Sequence, residues 1–430
     1  MHRNLTRLSL IFTLVFFAAC TPPAQETRER RTEAPAESFD AEKSWVEFDE
    51  YFNLFYAYSD RMDFDVEIAL RATQTRSLET TSKEAFRREL VKFGHVFADP
   101  HIIIGPLSDS DYNVVPTSSD IRMRYRNGNY VVEDVRARSA ADEADIRPGF
   151  VLLAVDRTPI ESLISDIFLG LVEVPTPRQK SHAATLLANG KRTGDRTLTF
   201  EGGQTMTLPN PRVFAKSLQG QDILSVSYEG EIAVIRLHNS LGNNDIIQAF
   251  DAAMRETASA KGLILDFRET PSGGNTEVAR AIIGHFVNEA RPYQTHTIPS
   301  LEREFSVPRM FTEYVLPRAP YRSSTEVVAL GSYWTGSMGE GLVIGLDGAA
   351  NMHVIASDMG DLLGGLSNYI LDYSGIRLDL PSETLSHIDG TPRHDFVADV
   401  ALISSDRDAA GGDPALDAAL SHLRSGKKLP

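Results

Sequence analysis

The chain has 430 residues, 42% of them hydrophobic and 24% charged, which is more apolar material than one core needs and suits two or three folded domains. Its 43 basic and 59 acidic side chains leave a formal charge of −16, arguing against nucleic acid or an anionic lipid surface as the main partner. A single cysteine excludes an internal disulfide.

The first residues predict an export signal. Arg3 and Arg7 precede "LSLIFTLVFFAA", an apolar run of 12 that is too short to span a bilayer, which needs ~20 residues. Cys20 follows at once, and "FAAC" resembles a bacterial lipobox with Phe17 where leucine is usual. That resemblance implies removal of residues 1–19 and acylation of Cys20, a lipid-anchored protein in the cell envelope facing the periplasm. Thr21 next to the cysteine leans toward the outer membrane. Residues 20–41 are polar and contain three prolines, as in a disordered tether.

Residues 42–111 predict an N-terminal helical segment. Trp45, Phe48, Phe52 and Phe55 recur at helical spacing, as do Phe86, Leu90, Phe93 and Phe97 after a Thr81…Glu84 capping box. Pro100 disfavours helix at Asp99, so that helix should end near Ala98, with His101 in the turn ahead of the strand "IIIG". Residues 112–213 are β-rich. The run from Ser139 through Arg147-Pro148-Gly149 to Val155-Asp156 resembles a bacterial PDZ domain, with a helical insertion at about 161–195. A PDZ loop captures a peptide carboxylate on its amides. Here Asp120 and Arg122 stand where glycines would be expected, so this capture is doubtful.

Residues 214–405 predict a βα-repeating domain with strands at 232–237, 262–267 and 326–330 and later strands at "MHVIA", "NYILD" and "IRLDL". A helix should run through Val278, Ile282 and Phe286, and the tail, 406–430, should hold a short helix. Ser337, in "TGSMGEG", follows a strand and opens a helix, so its hydroxyl meets unpaired amides and the positive helix end. Ser-x-x-Glu is also a capping box, with Glu340 as its far member. A nucleophilic serine needs a base and an oxyanion hole. Gly273 and Gly274 lack Cβ, and a backbone amide there, with that of Met338, could serve as a two-donor hole. A lysine base within this domain is nearly excluded, because none follows Lys261 before Lys427 and Lys428 in the tail. Among the histidines, His182, His285 and His422 fall on predicted helices, whereas His101 lies in a turn.

The ordered set of Asp-x-His turn, PDZ-like segment, "IAVIRL", "LILDFRETPSGG" and strand-to-helix Ser-x-x-Glu resembles the tail-specific, or C-terminal-processing, serine peptidases. It is most similar to the branch of tricorn core protease and the interphotoreceptor retinoid-binding protein modules. The resemblance implies a multidomain α/β fold with a C-terminal domain of crotonase/ClpP-like type. It implies a serine peptidase acting on peptides or proteins, with no metal or organic cofactor. Ser337 matches its nucleophile, His101 its base, and Glu383, on a late strand, its acid; Gly273, Gly274 and Met338 match its oxyanion hole. The processing branch places a lysine where Leu362 stands. Pro100, Thr270 and "DFVADV" depart from the family pattern. A catalytically silent peptide-binding or scaffolding lipoprotein with this fold is the first alternative. An α/β-hydrolase is the second, with Thr335 in the first glycine position of its elbow, a base among His387, His394 and His422, and Asp361 or Asp372 as acid.

Overall fold

A computed structural model describes residues 39–238, 241–271, 273–318 and 325–425. The signal segment, Cys20 and nearly all of the tether lie outside them. Helix α1 (Ala41–Phe55) starts where the Asp40 side chain accepts the Lys43 N–H at 3.0 Å. It packs on α2 (Val66–Leu78) and α3 (Lys83–Val96). The aromatic stripes are core: Phe52, Phe93 and Phe97 interlock with ring centroids 4.9–5.1 Å apart. Phe55 departs from that pattern and stacks on Tyr369 at 4.3 Å, tying α1 to the C-terminal half. The cap of α3 is Ser82 rather than Thr81; its hydroxyl accepts from Ala85 N–H, and Glu84 turns to Arg87 instead. After α3 the backbone breaks at Ala98, φ +49°, and passes His101 into β1 (Ile103–Gly105).

The middle of the chain forms the hairpin β2 (Ile121–Arg126) and β3 (Asn129–Val135), helix α4 (Ala140–Glu143), then β4 (Leu152–Val155) and β5 (Thr158–Pro159). Helices α5 (Ile160–Phe168) and α6 (Pro177–Asn189) intervene before β6 (Arg196–Phe200), β7 (Thr205–Leu208) and α7 (Pro211–Leu218). The second sheet has the order β5-β4-β6-β7. At the start of β2 the side chain of Asn189 accepts the N–H groups of Asp120, at 2.8 Å, and Ile121, at 3.3 Å. Those two amides are therefore already satisfied within the chain.

The C-terminal half is built on a sheet of order β17-β14-β13-β10-β9-β8. Its members are β8 (Leu224–Glu229), β9 (Ile232–His238), β10 (Gly262–Glu269), β13 (Glu326–Gly331), β14 (His353–Ala356) and β17 (Val400–Ala401). All neighbours are parallel except β8 and β9. Every residue of β10 is buried, as its nearly continuous apolar run requires of a central parallel strand, and the Asp266 within it is paired with Arg236 and Arg268. Helices α8 (Asp245–Glu256), α9 (Thr276–Ile283), α11 (Met338–Ala350) and α12 (Pro414–Ser425) cover it. Helix α9 stops at Ile283, so Phe286 lies beyond it.

A further sheet takes β1, β16 (Arg377–Ser386), β11 (Arg291–Thr297) and β12 (Met310–Val315) in that order, with β15 (Gly365–Ile370) also on β16; α10 (Pro299–Phe305) joins β11 to β12. Strand β16 runs well past the predicted "IRLDL", so Glu383 lies within it. Because β1 pairs with β16, the backbone just after His101 is a strand of the C-terminal half. Residues from Phe39 onward cluster as one compact unit. Among the described residues, no helix is long and apolar enough to cross a membrane.

Candidate active site

The serine turn is built by close packing against the end of β10. Thr270 and Thr335 form a parallel bridge, and Gly336 N–H donates to the Thr270 carbonyl at 2.9 Å. A Cβ on Gly339 would lie 2.9 Å from that same carbonyl oxygen, so only glycine lets the turn approach this closely. Ser337 itself has φ +56° and ψ −115°, a conformation that a non-glycine residue holds only when its surroundings dictate it. Its N–H donates to the Glu340 side chain at 2.6 Å.

Glu340 does more than cap a helix. Its carboxyl is 4% exposed, and burial pushes its pKa up to about 8. It also accepts the N–H groups of Asp361, at 3.0 Å, and Leu362, at 3.1 Å. One side chain thus fixes both the serine turn and the glycine-containing loop, 359–365. The next carbonyl of that loop, Leu363, accepts a hydrogen bond from Nδ1 of His101. With Nδ1 carrying the proton, Nε2 keeps its lone pair. Burial holds the His101 pKa down to about 4, so the ring is neutral at neutral pH. Asp99 holds the turn by accepting His101 N–H at 3.0 Å and the Tyr56 hydroxyl at 3.1 Å.

Ser337, His101, Gly273, Gly274 and Met338 line one cleft of about 640 Å³. A Cβ built on Gly273 would sit 3.7 Å from the Ser337 hydroxyl oxygen, so its backbone faces the serine. Gly274 is glycine for another reason: a Cβ there would meet the Leu241 backbone at 2.5 Å. Met338 opens α11, where the first N–H groups have no partner within the helix. Among the described residues, no hydrogen bond joins the Ser337 hydroxyl to His101.

The expected acid, Glu383, meets a different histidine in the structure. The nitrogen of His101 that a carboxylate would orient is taken by Leu363, and Glu383 instead accepts from His296 Nδ1 at 2.7 Å. His296 Nε2 lies 3.4 Å from Glu313, and the two carboxylates raise its pKa against the effect of burial. His296, Glu313 and Gln294 line the same cleft, as does Arg393. These residues were missed because β11 and β12 were missed. The alternation in "YQTHT", with Tyr293 buried and Thr295 and His296 on opposite faces, was the available signal.

The other candidate bases lie elsewhere. His387 faces Asp347 and Asp389 near the C-terminal end of α11, and His422 pairs with Glu326 at the start of β13. His394 sits in a separate basin with Asp361. Asp372 is at the turn between β15 and β16, where its N–H donates to Glu47. The elbow arrangement of an α/β-hydrolase is therefore not assembled around Ser337.

No family model and no curated protein matches the sequence. Solved structures do match. Mature CPAF, in a structure complexed with lactacystin, is 13% identical with a TM-score of 0.59, over 90% of this chain and 97% of that one. The photosystem II D1 C-terminal processing protease is also 13% identical, with a TM-score of 0.51 over 90% of this chain and 97% of that one. The fold is that of a C-terminal processing protease. In this version of it, the end of β10, the serine turn and the His101 turn converge on one cleft. Among the described residues, no group of histidine, cysteine, aspartate or glutamate is arranged to hold a metal ion.

Proposed function

We propose that the chain is a serine peptidase of the tail-specific family that hydrolyses peptide bonds through an acyl-enzyme. The observation that carries this reading is the meeting of a strained Ser337 and a neutral, Nδ1-bonded His101 in one cleft, from positions 236 residues apart. Ser337 attacks the scissile carbonyl, and Nε2 of His101 takes its proton and later returns it to the leaving amine. The amides of Gly273 and Met338 hold the oxyanion. The Leu363 carbonyl orients His101. We assign Glu383 to His296 on the cleft wall rather than to the base. The PDZ-like middle segment, the lipid anchor at Cys20 and a place in the outer membrane facing the periplasm belong to the same proposal.

Labelling with a fluorophosphonate probe tests it. Wild type should label, Ser337→Ala should not, and His101→Ala should label far more slowly. Incorporation of an alkyne-tagged fatty acid, lost in Cys20→Ala, tests the anchor. The engagement of Glu383 by His296 supports a second reading, a silent binder with this fold. Absence of labelling in a folded wild-type protein would favour it.

A further inference from the structure

Strand β12 is the outer strand of its sheet, and among the described residues nothing pairs with its far side. Its register on β11 shows which backbone groups are left over. Ile298 N–H donates to the Arg309 carbonyl at 3.0 Å, one step before the pairs Thr297↔Met310, His296↔Phe311 and Thr295↔Thr312. Bonded and unbonded pairs alternate along an antiparallel ladder. Phe311 is therefore bonded to β11, whereas Met310, Thr312 and, by continuation, Tyr314 turn their N–H and C=O groups outward.

A free row of donors and acceptors invites another strand, so outer strands are usually blunted by lysine, proline or a bulge. The run "MFTEYV" has none of these, and the irregularity of this pair, between Pro292 and Gln294, lies in β11. Its side chains add to the invitation. Met310, Tyr314 and Leu316, with Phe305 and Val307 on the approach to the strand, are each 56–72% exposed. At the ~200 Å² that a large side chain can bury, these five bring roughly 600 Å² per copy before any backbone, against ~800 Å² per partner in a standard interface. The outer strand β8, by contrast, presents Ser225, Ser227 and Glu229 beside a single aromatic, Tyr228.

We propose that β12 pairs antiparallel with β12 of a second copy of this chain, around a two-fold axis at Thr312. This register uses the whole strand. Met310 faces the partner's Tyr314, a sulfur–aromatic contact, and Thr312 faces its own copy, a favourable cross-strand pair. Phe311 faces the partner's Glu313, so the two Glu313 carboxylates are not set against each other. A contact of this kind closes on itself and gives a dimer rather than a filament. Since Glu313 also lines the Ser337 cleft, the partner's Phe311 would stand beside the cleft wall. The inference does not depend on the peptidase reading.

Sedimentation velocity of the purified full chain over a range of concentrations tests it. A reversible species of twice the chain mass is expected. Thr312→Lys sets two like charges opposite each other across the axis and should weaken dimerisation about a hundredfold or more, as should Thr312→Glu. Mixing these two variants should restore a dimer with one copy of each, because residue 312 then meets the opposite charge. Thr312→Val should stay dimeric, which separates the effect of charge from loss of fold. Thr312→Pro should be monomeric yet folded by circular dichroism, since the N–H it removes points away from β11. Ser227→Lys, on β8, should leave the dimer intact. A wild type that is monomeric at every concentration would overturn the assignment, even if the strand then bound a peptide or lipid vesicles. So would a dimer that survives Thr312→Lys and Thr312→Pro, or a mixture of the Thr312→Lys and Thr312→Glu variants that stays monomeric.

Discussion

Lowering the pH separates the two histidines that share the cleft with Ser337. His101 is held neutral by burial, with a pKa of about 4, whereas His296 is raised above its usual value by Glu313 and Glu383. A base with a pKa of about 4 is still about 97% neutral at pH 5.5; one at the ordinary histidine value of about 6.5 or higher is at most about 9% neutral. The rate of fluorophosphonate labelling at pH 5.5 should therefore fall by less than about twofold from its value at pH 7.5, against roughly tenfold for a base of ordinary pKa. The fold needs watching over the same range. Because the folded pKa of His101 is depressed, unfolding takes up a proton below about 6.5, so its contribution to stability is complete above that pH and fades toward 4. At pH 5.5 the loss from His101 is on the order of 1 kcal/mol; His95 and His182, lowered to about 4 and about 3, act in the same direction, whereas Asp99 and Glu340, raised by burial to about 7 and about 8, act in the opposite one. Circular dichroism in the same buffers keeps unfolding from being read as titration. An acid limb at or above pH 6.5 in a folded protein, shifted or abolished by His296→Gln, would refute His101 as the base.

Glu383→Gln should change the labelling rate by less than about tenfold, because Glu383 meets His296; if it oriented the base, a loss of about 10³ or more would be seen. Gly273→Ala should fold normally yet label slowly, since the added methyl lies 3.7 Å from the Ser337 oxygen, the one contact within 4 Å among the described residues. Gly274→Ala should instead lose stability, by about 1–3 kcal/mol in urea unfolding, because its methyl would press on the Leu241 backbone. Glu340→Leu leaves three N–H groups without their acceptor and should cost about 3 kcal/mol or more, with labelling reduced even in the fraction that remains folded.

The sequence carried the parts of the fold whose signals are local. Aromatic spacing marked α1 and α3, the nearly continuous apolar run at "GLILDF" marked the central strand, and Pro100 marked the turn at His101. The serine turn was legible because its glycines are forced by contact with Thr270 and Pro271. What was not legible depends on contacts far apart in sequence. That a backbone carbonyl from Leu363 would take the Nδ1 proton of His101 has no sequence signature, since every residue offers a carbonyl. Strands β11 and β12 have no strong pattern: "RPYQTHT" is mostly polar, and "MFTEYV" is an edge strand left largely exposed, so both look like solvated loop. The partner of Glu383 was lost with them.

The carboxyl of Glu340 has a mechanical consequence. It grips the serine turn and the 359–365 loop together, reinforcing the Gly360 N–H to Thr335 carbonyl bond that joins the same two segments, so nucleophile and base are registered to one another through this junction. Loosening that junction would misalign the pair without unfolding either half. Ionisation above pH 8 leaves all three N–H donors with a stronger acceptor, so alkali tightens the grip rather than releasing it.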